Sequence, residues 1–503
     1  MDPDDLPPVA GGPDQPPTSE FEQAEAVATW AFGEEGAVIS VAYNDRTQVL
    51  LDPKIVYPDG PNGQERIVKR GASLMGWSYS TDDGASFIYG GRVTPPPGWA
   101  VIWGDPALAT LQYSPSTVYL ANLAGSDTAF PASGEVVNEA PSLDGFCIAR
   151  STTAGASFAS VHCFKKGICS NTGKSCRGRL NDCLVPGPVP ELGECEGIFY
   201  DGTALAAHGD DLYFAAAAVW SHEIHVWRAR EGRLEDLELL ADYSPFDREG
   251  MTLHPRFRVA RGKLYVLAMR DGYYLLASHC QLADGCATWS PPLRVSAELA
   301  SRPPIWLEDD RRIRTANQFS FDVGPTEAGS DELRIVYTRL TAGGRYYLES
   351  ARCDPDLPES QVQPGFAVCS NQNTFGGEDH AHGADEYNPN LKVASPGVWR
   401  LTYLSRALGT SQIEVKRANL VTLGIPPVDL LPAFQLAPPQ VPCTYPMPNG
   451  HYWGDYNDLI QIAPGPAGPR FLAPFTINFD DGGACEFAGR WTADMHVGAA
   501  VFQ

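Results

Sequence analysis

The chain has 503 residues, 43% of them hydrophobic and only 19% charged, with 49 glycines and 43 prolines spread along its length. So low a charge excludes coiled coils and solenoids of exposed helices, and so many turn formers fit short strands better than long helices. The 61 acidic against 37 basic side chains leave a net charge of −24, which repels phosphate backbones and argues against nucleic acid as a partner. A solubilising surface explains that charge; Ca²⁺ is the cation that clustered carboxylates would attract, and no cofactor is otherwise implied.

In chain order, residues 1–20 (MDPDDLPPVAGGPDQPPTSE) are acidic and proline-rich, with neither the basic nor the apolar region of a signal peptide. They are expected to form a disordered tail of a mature chain whose leader is missing. Residues 21–503 are then expected to fold as one domain built from a repeat. Each unit is a short polar lead-in, an apolar strand, a glycine turn and a second aliphatic or aromatic strand. The first spans Ala24 to Phe87, and further units begin near Asp105, Tyr200, His254, Asn317, Tyr387 and Gly454. A repeat of roughly 50–70 residues carrying three or four strands is the size of a propeller blade. The expectation is an all-β chain, a single β-propeller of seven four-stranded blades, or six if the terminal units share one. Ring closure would remove the exposed sheet edges that isolated sheets would leave. A segment at about 164–198 breaks the pattern and reads as a disulfide-rich surface insertion. No stretch reaches about 18 consecutive apolar residues, so no transmembrane segment is expected.

Twelve cysteines fall mostly into near pairs: Cys147/Cys163, Cys280/Cys286 and Cys353/Cys369, with Cys169, Cys176, Cys183 and Cys195 in the insertion and Cys443 and Cys485 left over. Six disulfides and an oxidising location, secreted or periplasmic, follow. The insertion's spacings lack CxxC and it contains no histidine, which disfavours zinc.

One octapeptide, STDDGASF (Ser80 to Phe87), has a turn chemistry of its own. Asp82 can accept backbone amides, Gly84 tolerates positive φ, Ser86 can cap locally, and Phe87 can tuck beneath the hairpin. STTAGASF (Ser151 to Phe158) repeats it with Thr153 for Asp, and LADGCATW (Leu282 to Trp289) keeps Asp284, Thr288 and Trp289 with Cys286 for Gly. These turns resemble the Asp boxes of the sialidase (BNR-repeat) superfamily. WGDPALA, FYDGTALA, EYNPNLKV and HYWGDYNDL look like phrases of bacterial secreted sialidase-like proteins, extending the resemblance from about Glu20 to the C-terminus. The resemblance implies a propeller acting on extracellular glycans, with Asp boxes on the rim as structural turns. A member of that family grips the substrate carboxylate with three arginines, attacks with a Tyr–Glu pair and uses an Asp as acid/base. Its (Phe/Tyr)-Arg-Ile-Pro phrase is absent here; the nearest strings surround Arg256 (HPRFRV) and Arg302 (SRPPIW).

If the innermost strands start at the lead-ins, polar residues there gather around one mouth of the channel. The catalytic candidates so placed are Asp105, Asp201, Glu386, Tyr387, Asp455 and Tyr456, with His451 just before the last unit. Paired carboxylates at such a mouth could work as acid and base; alternatively, the aspartates hydrogen-bond backbone between blades. Asp379, His380 and His382 offer ligand-type side chains in one loop, where a His-x-His pair can take Zn²⁺ or Cu²⁺. The partner expected is an extracellular glycan or glycoprotein, met by a monomer. The rival is a non-catalytic recognition or adhesion module.

Overall fold

The computed structural model of the chain describes residues 23–45, 71–126, 145–165, 167–169, 195–197, 200–218, 223–240, 252–270, 274–296, 305–306, 313–315, 319–325, 331–340, 346–353, 369–375, 384–407, 413–422, 428–430, 434–435, 451–452, 458–466, 468–478 and 495–503. The proposed tail, residues 1–20, and most of the cysteine-rich segment lie outside them. Of that segment, Gly167–Cys169 and Cys195–Gly197 pair as a two-stranded ribbon that sets Cys169 opposite Cys195.

The chain is all-β and forms a propeller of seven blades. Its innermost strands are Gln23–Gly33, Ala107–Thr110, Tyr200–His208, Thr252–Ala260, Phe319–Pro325, Ala384–Ser395 and Ile460–Gly465, for blades I to VII. In blade I the order continues outward through Gly36–Asp45, Met75–Ser80 and Ile88–Arg92, each strand antiparallel to the last. Blades II to VI follow the same plan, and blade VII shows three strands among the described residues. Each unit counted in the sequence is one blade. No helix among the described residues is long and apolar enough to cross a membrane.

Each blade buries both of its faces, and period-two alternation decides which neighbour each side chain meets. In blade III the strand DLYFAAAA sends Leu212, Phe214, Ala216 and Ala218 into a core shared with blade II. Its other residues, Tyr213, Ala215 and Ala217, join Leu264, Val266 and Ala268 of blade IV. Because both faces are covered, such a strand reads as one continuous apolar run rather than a polar-apolar alternation. The same arrangement fills the IV–V interface and the V–VI interface. It recurs between VI and VII, VII and I, and I and II, which closes the ring.

The outermost strands are tied down in two ways. Disulfides join Cys147 to the directly opposed Cys163 in blade II and Cys280 to Cys286 in blade IV. Cys353 is also disulfide-bonded, and its cross-strand neighbour in blade V is Cys369. The second device is the octapeptide turn between third and fourth strands. Ser80 Oγ donates to Asp82 Oδ1 at 2.7 Å and accepts from Gly84 N at 2.8 Å, while Ser86 N donates to Asp82 Oδ1 at 2.9 Å. Asp83 and Gly84 take φ of 62° and 87°. Phe87 packs against the core between blades VII and I. The second copy keeps this geometry with Thr153 in the aspartate's place, accepting from Ser157 N at 3.0 Å. In the third, Cys286 occupies the left-handed position (φ 62°) where its disulfide holds it, Asp284 accepts from Ala287 N at 3.3 Å, and Trp289 packs against the III–IV core.

Hydrogen bonds from Ser86 and Ser80 hold the Asp82 carboxyl at about 2, below its ordinary 3.8. A depressed carboxyl stabilises the fold above its unfolded value, and that stability disappears as pH falls through its folded value. Asp82→Asn should therefore lower the thermal midpoint at neutral pH and flatten its decline between about pH 4 and about pH 2, read by circular dichroism melts.

Candidate functional site: the central channel and its upper mouth

The innermost strands are not regular. Register shifts occur between Ala24 and Val27, Asp201 and Thr203, Leu253 and Arg256, and Tyr387 and Asn390. At the corresponding places Glu25, Gly202 and Asn388 adopt φ of 57°, 62° and 53°, and Asp105 takes 58° just before the innermost strand of blade II. Such bulges insert one extra residue and re-aim the strand, and Asp, Asn and Gly are the residue types that tolerate the left-handed backbone.

These irregularities share one level of the ring. A single cavity of about 80 Å³ touches Val27, Pro106–Leu108, Thr203–Leu205, Arg256–Arg258, Phe319–Phe321, Asn388–Asn390 and Asp458, a contribution from every blade. The start of each innermost strand therefore points to the same end of the channel, here called the upper face. The ends of the second strands and the starts of the third strands lie at this face as well, by the antiparallel pairing within each blade. The short hairpins and the octapeptide turns lie at the other end.

Polar side chains at this level link adjacent blades. Asn44 bonds Glu25 Oε2 through its amide nitrogen, and its Oδ1 accepts from Asp105 N at 2.9 Å. Asp105 Oδ2 in turn accepts from Gly202 N of blade III at 2.8 Å, and its carbonyl accepts from Thr203 Oγ1. Between blades V and VI, Ser320 Oγ accepts from Leu391 N and Asp322 Oδ2 from Val393 N, each at 2.9 Å. Asp458 Oδ2 accepts from Ala28 N at 3.3 Å, joining blade VII to blade I. Arg258 and Lys392 flank Asp322, each 3.5 Å from one of its carboxylate oxygens, and the Arg258 guanidinium lies over the Phe321 ring.

The sequence candidates distribute as follows. Asp105 sits at the channel level with its carboxylate on the Gly202 amide. Asp201 pairs with Ala217 at the bulge of blade III. His451 lies on a short strand in parallel pairing with Ile313–Thr315, so the connections preceding blades V and VII meet in one small sheet. Asp455, Tyr456, Asp379, His380 and His382 lie outside the described residues. Among the described residues no group of three or more His, Cys, Asp or Glu side chains is arranged to hold a metal ion.

Glu386 and Tyr387 stand on the innermost strand of blade VI, just above the Asn388 bulge, opposite Ser405 and Leu404. Both are buried. Glu386 shares a blade face with Tyr403, Ser405, Glu414 and Lys416, by the registers Glu386–Ser405–Glu414 and Tyr403–Lys416. Its Oε2 has no hydrogen-bond partner among the described residues. Burial pushes the Glu386 carboxyl up to about 7, against the opposing pull of Lys416. Burial also raises the Tyr403 hydroxyl, with the carboxylates of Glu386 and Glu414 adding to the effect.

Sequence reasoning passed over Arg256 and Arg258 as cavity-lining residues. The usable signal was their i, i+2 spacing immediately after His254–Pro255, a position equivalent to the lead-ins of other blades. It also passed over Ser320, Asn388, Asn390 and Asp458.

No protein-family model matches the chain, and no curated protein matches it. Solved structures do match. One is Trypanosoma rangeli sialidase in complex with sialic acid: 12% identity, TM-score 0.38, covering 79% of this chain and 53% of that one. The chain thus spans about half of that sialidase. An α-L-arabinofuranosidase from Fusarium graminearum bound to an iminosugar inhibitor is 11% identical with a TM-score of 0.37, covering 97% and 95%. The catalytic domain of a Coprinopsis cinerea GH62 α-L-arabinofuranosidase is 9% identical with a TM-score of 0.30, covering 61% and 84%. The seven-bladed assignment rests on the strand pairing and the seven interfaces rather than on these low-identity likenesses.

Two outcomes follow from this geometry. Asp105→Ala removes the acceptor for a buried inter-blade amide and should cost about 1–3 kcal/mol in urea unfolding. Asp105→Asn keeps an acceptor and a left-handed backbone and should retain most of that stability. For Glu386, a raised folded value means its contribution is full below the unfolded carboxyl's 4.5 and lost as pH rises through about 7. Wild-type protein should lose about 3 kcal/mol of this contribution between those values, and Glu386→Gln should not, measured by denaturant titrations across that interval.

Proposed function

We propose that this chain is a secreted, monomeric propeller that receives extracellular glycans, free or on glycoproteins, at the upper mouth of its channel. We further propose that Glu386 is the general acid of a glycoside hydrolase reaction there. The observation that carries the reading is a buried carboxyl at the upper end of an innermost strand, raised by burial to about 7, with one oxygen unpartnered among the described residues. A general acid must hold its proton at working pH and give it to a leaving oxygen, which is what a carboxyl raised to this range can do. The disulfides Cys147–Cys163 and Cys280–Cys286 support an oxidising, extracellular setting.

A second reading, glycan recognition without turnover, draws on the aspartates. Asp105, Asp322 and Asp458 each accept, at Oδ2, a backbone amide hydrogen bond from a neighbouring blade. A glycosidase ordinarily needs a second acidic group beside the first.

A panel of fluorogenic glycosides, sialosides and arabinofuranosides included, separates the two on oxidised, folded protein. Hydrolysis predicts turnover that declines as pH rises through about 7, because the acid loses its proton. It also predicts a loss of roughly 10²- to 10⁴-fold in kcat for Glu386→Gln. Glycan binding with no turnover selects the recognition reading, and neither binding nor turnover defeats both.

A further inference from the structure

The lower face, at the end of the ring opposite the cavity, carries a feature that neither ring closure nor the channel explains. Three large hydrophobic side chains are exposed among the described residues, Phe32 at 49%, Ile88 at 50% and Tyr113 at 79%. All three lie at the lower end of blades I and II. Phe32 sits in the inner hairpin of blade I, Ile88 directly after that blade's octapeptide turn, and Tyr113 in the inner hairpin of blade II. A hydrophobic residue exposed singly is ordinary, whereas several gathered at one end of two neighbouring blades mark an interaction surface.

The hairpins that carry the two aromatic rings are fixed to one another. Phe32 N donates to Pro115 O at 2.9 Å, and Ala154 N of the second octapeptide turn donates to Ser116 O at 2.8 Å. On the other side, Gln112 N donates to Gly209 O at 2.9 Å, and Gly209 N donates to Gln112 Oε1 at 3.0 Å. The hairpins of blades I, II and III therefore form one continuous surface. Tyr113 rests against Gly209, where a β-carbon would come within 3.0 Å of its Cε2, and Phe32 stands edge-on to Trp30 with ring centroids 5.0 Å apart. Rings held in this way lose little freedom when a ligand covers them.

The surroundings select the ligand. Exposed polar side chains on these turns of blade II are uncharged: Gln112, Thr152, Thr153 and Ser157. The turns of blade I add carboxylates, Glu34, Glu35, Asp82 and Asp83, against Arg150 of blade II and Arg470, which pairs with Asp83 at 3.1 Å. An acidic balance repels anionic lipid. A protein partner would need about 800 Å² around a continuous apolar centre, and here polar and glycine residues separate the rings. A sugar needs only one aromatic face. Its C–H bonds, partly positive, meet the negative face of the ring, while its hydroxyls at the edge bond to amide, hydroxyl and carboxylate neighbours.

We infer that the lower face of blades I and II is a second glycan-binding surface, on which Tyr113, together with Phe32, stacks the sugar rings of a neutral polysaccharide chain. It lies at the opposite end of the ring from the channel mouth and rests neither on Glu386 nor on turnover.

The test is native electrophoresis of the full, oxidised chain through gels containing soluble arabinan, arabinoxylan, galactan or mannan. At least one of these polymers should retard the wild type. Tyr113→Ala should weaken the apparent affinity by about tenfold or more, the size expected for a lost aromatic anchor. Tyr113→Trp should retain it, and neither variant should move the thermal midpoint, because the side chain is exposed. Glu386→Gln should be retarded as the wild type is, so lost turnover with retained retardation strikes the channel reading alone. Absence of wild-type retardation by every polymer overturns the inference, as does equal retardation of wild type and Tyr113→Ala. Tyr113-dependent sedimentation with phosphatidylcholine–phosphatidylglycerol vesicles, without retardation by polysaccharide, overturns it in favour of a membrane.

Discussion

Everything in this molecule depends on each sheet being apolar on both faces. A sheet with one wet face can end a stack, but a sheet that must bury both needs a neighbour on each side, and only a closed ring supplies that for every blade. The odd and even residues of a single strand such as Asp211–Ala218 enter two different cores, one shared with blade II and one with blade IV. The ring is thus held by seven similar interfaces rather than by one central core.

Closure has a consequence at the axis. Innermost strands brought side by side cannot pair with one another as a sheet, so their backbone amides need other acceptors at the points of approach. Bulges and short polar side chains meet this need: Asn44 and Asp105 link blades I to III, Ser320 and Asp322 link V to VI, and Asp458 links VII to I. The same irregularity that satisfies the backbone also turns side chains toward the channel. This is why polar groups concentrate there, and why structural and functional roles are hard to separate by residue type. Glu386 differs from the aspartates in this respect. It lies above the bulge, on a blade face beside Tyr403 and Lys416, and burial raises its carboxyl to about 7.

The two ends of the ring are unequal. At the lower end, the octapeptide turns and short hairpins are closed by local hydrogen bonds and, in blade IV, by a disulfide. Above the innermost strands, short strands that precede blades V and VII join in a small mixed sheet around Ile313 and His451.

The sequence by itself determined the all-β class, the seven units with their starts, and the octapeptide turns, because each depends on local periodicity or on hydrogen bonds within eight residues. It also foretold the pairs Cys147–Cys163 and Cys280–Cys286, where partners are near in sequence. Tertiary structure alone decided what meets at the axis. Arg256, Ser320, Asn388 and Asp458 are remote from one another along the chain and become neighbours only when the ring closes. The burial that raises the Glu386 carboxyl likewise arises from packing in the assembled ring. No pattern within one strand encodes either, since desolvation and inter-blade contact are properties of the assembled ring.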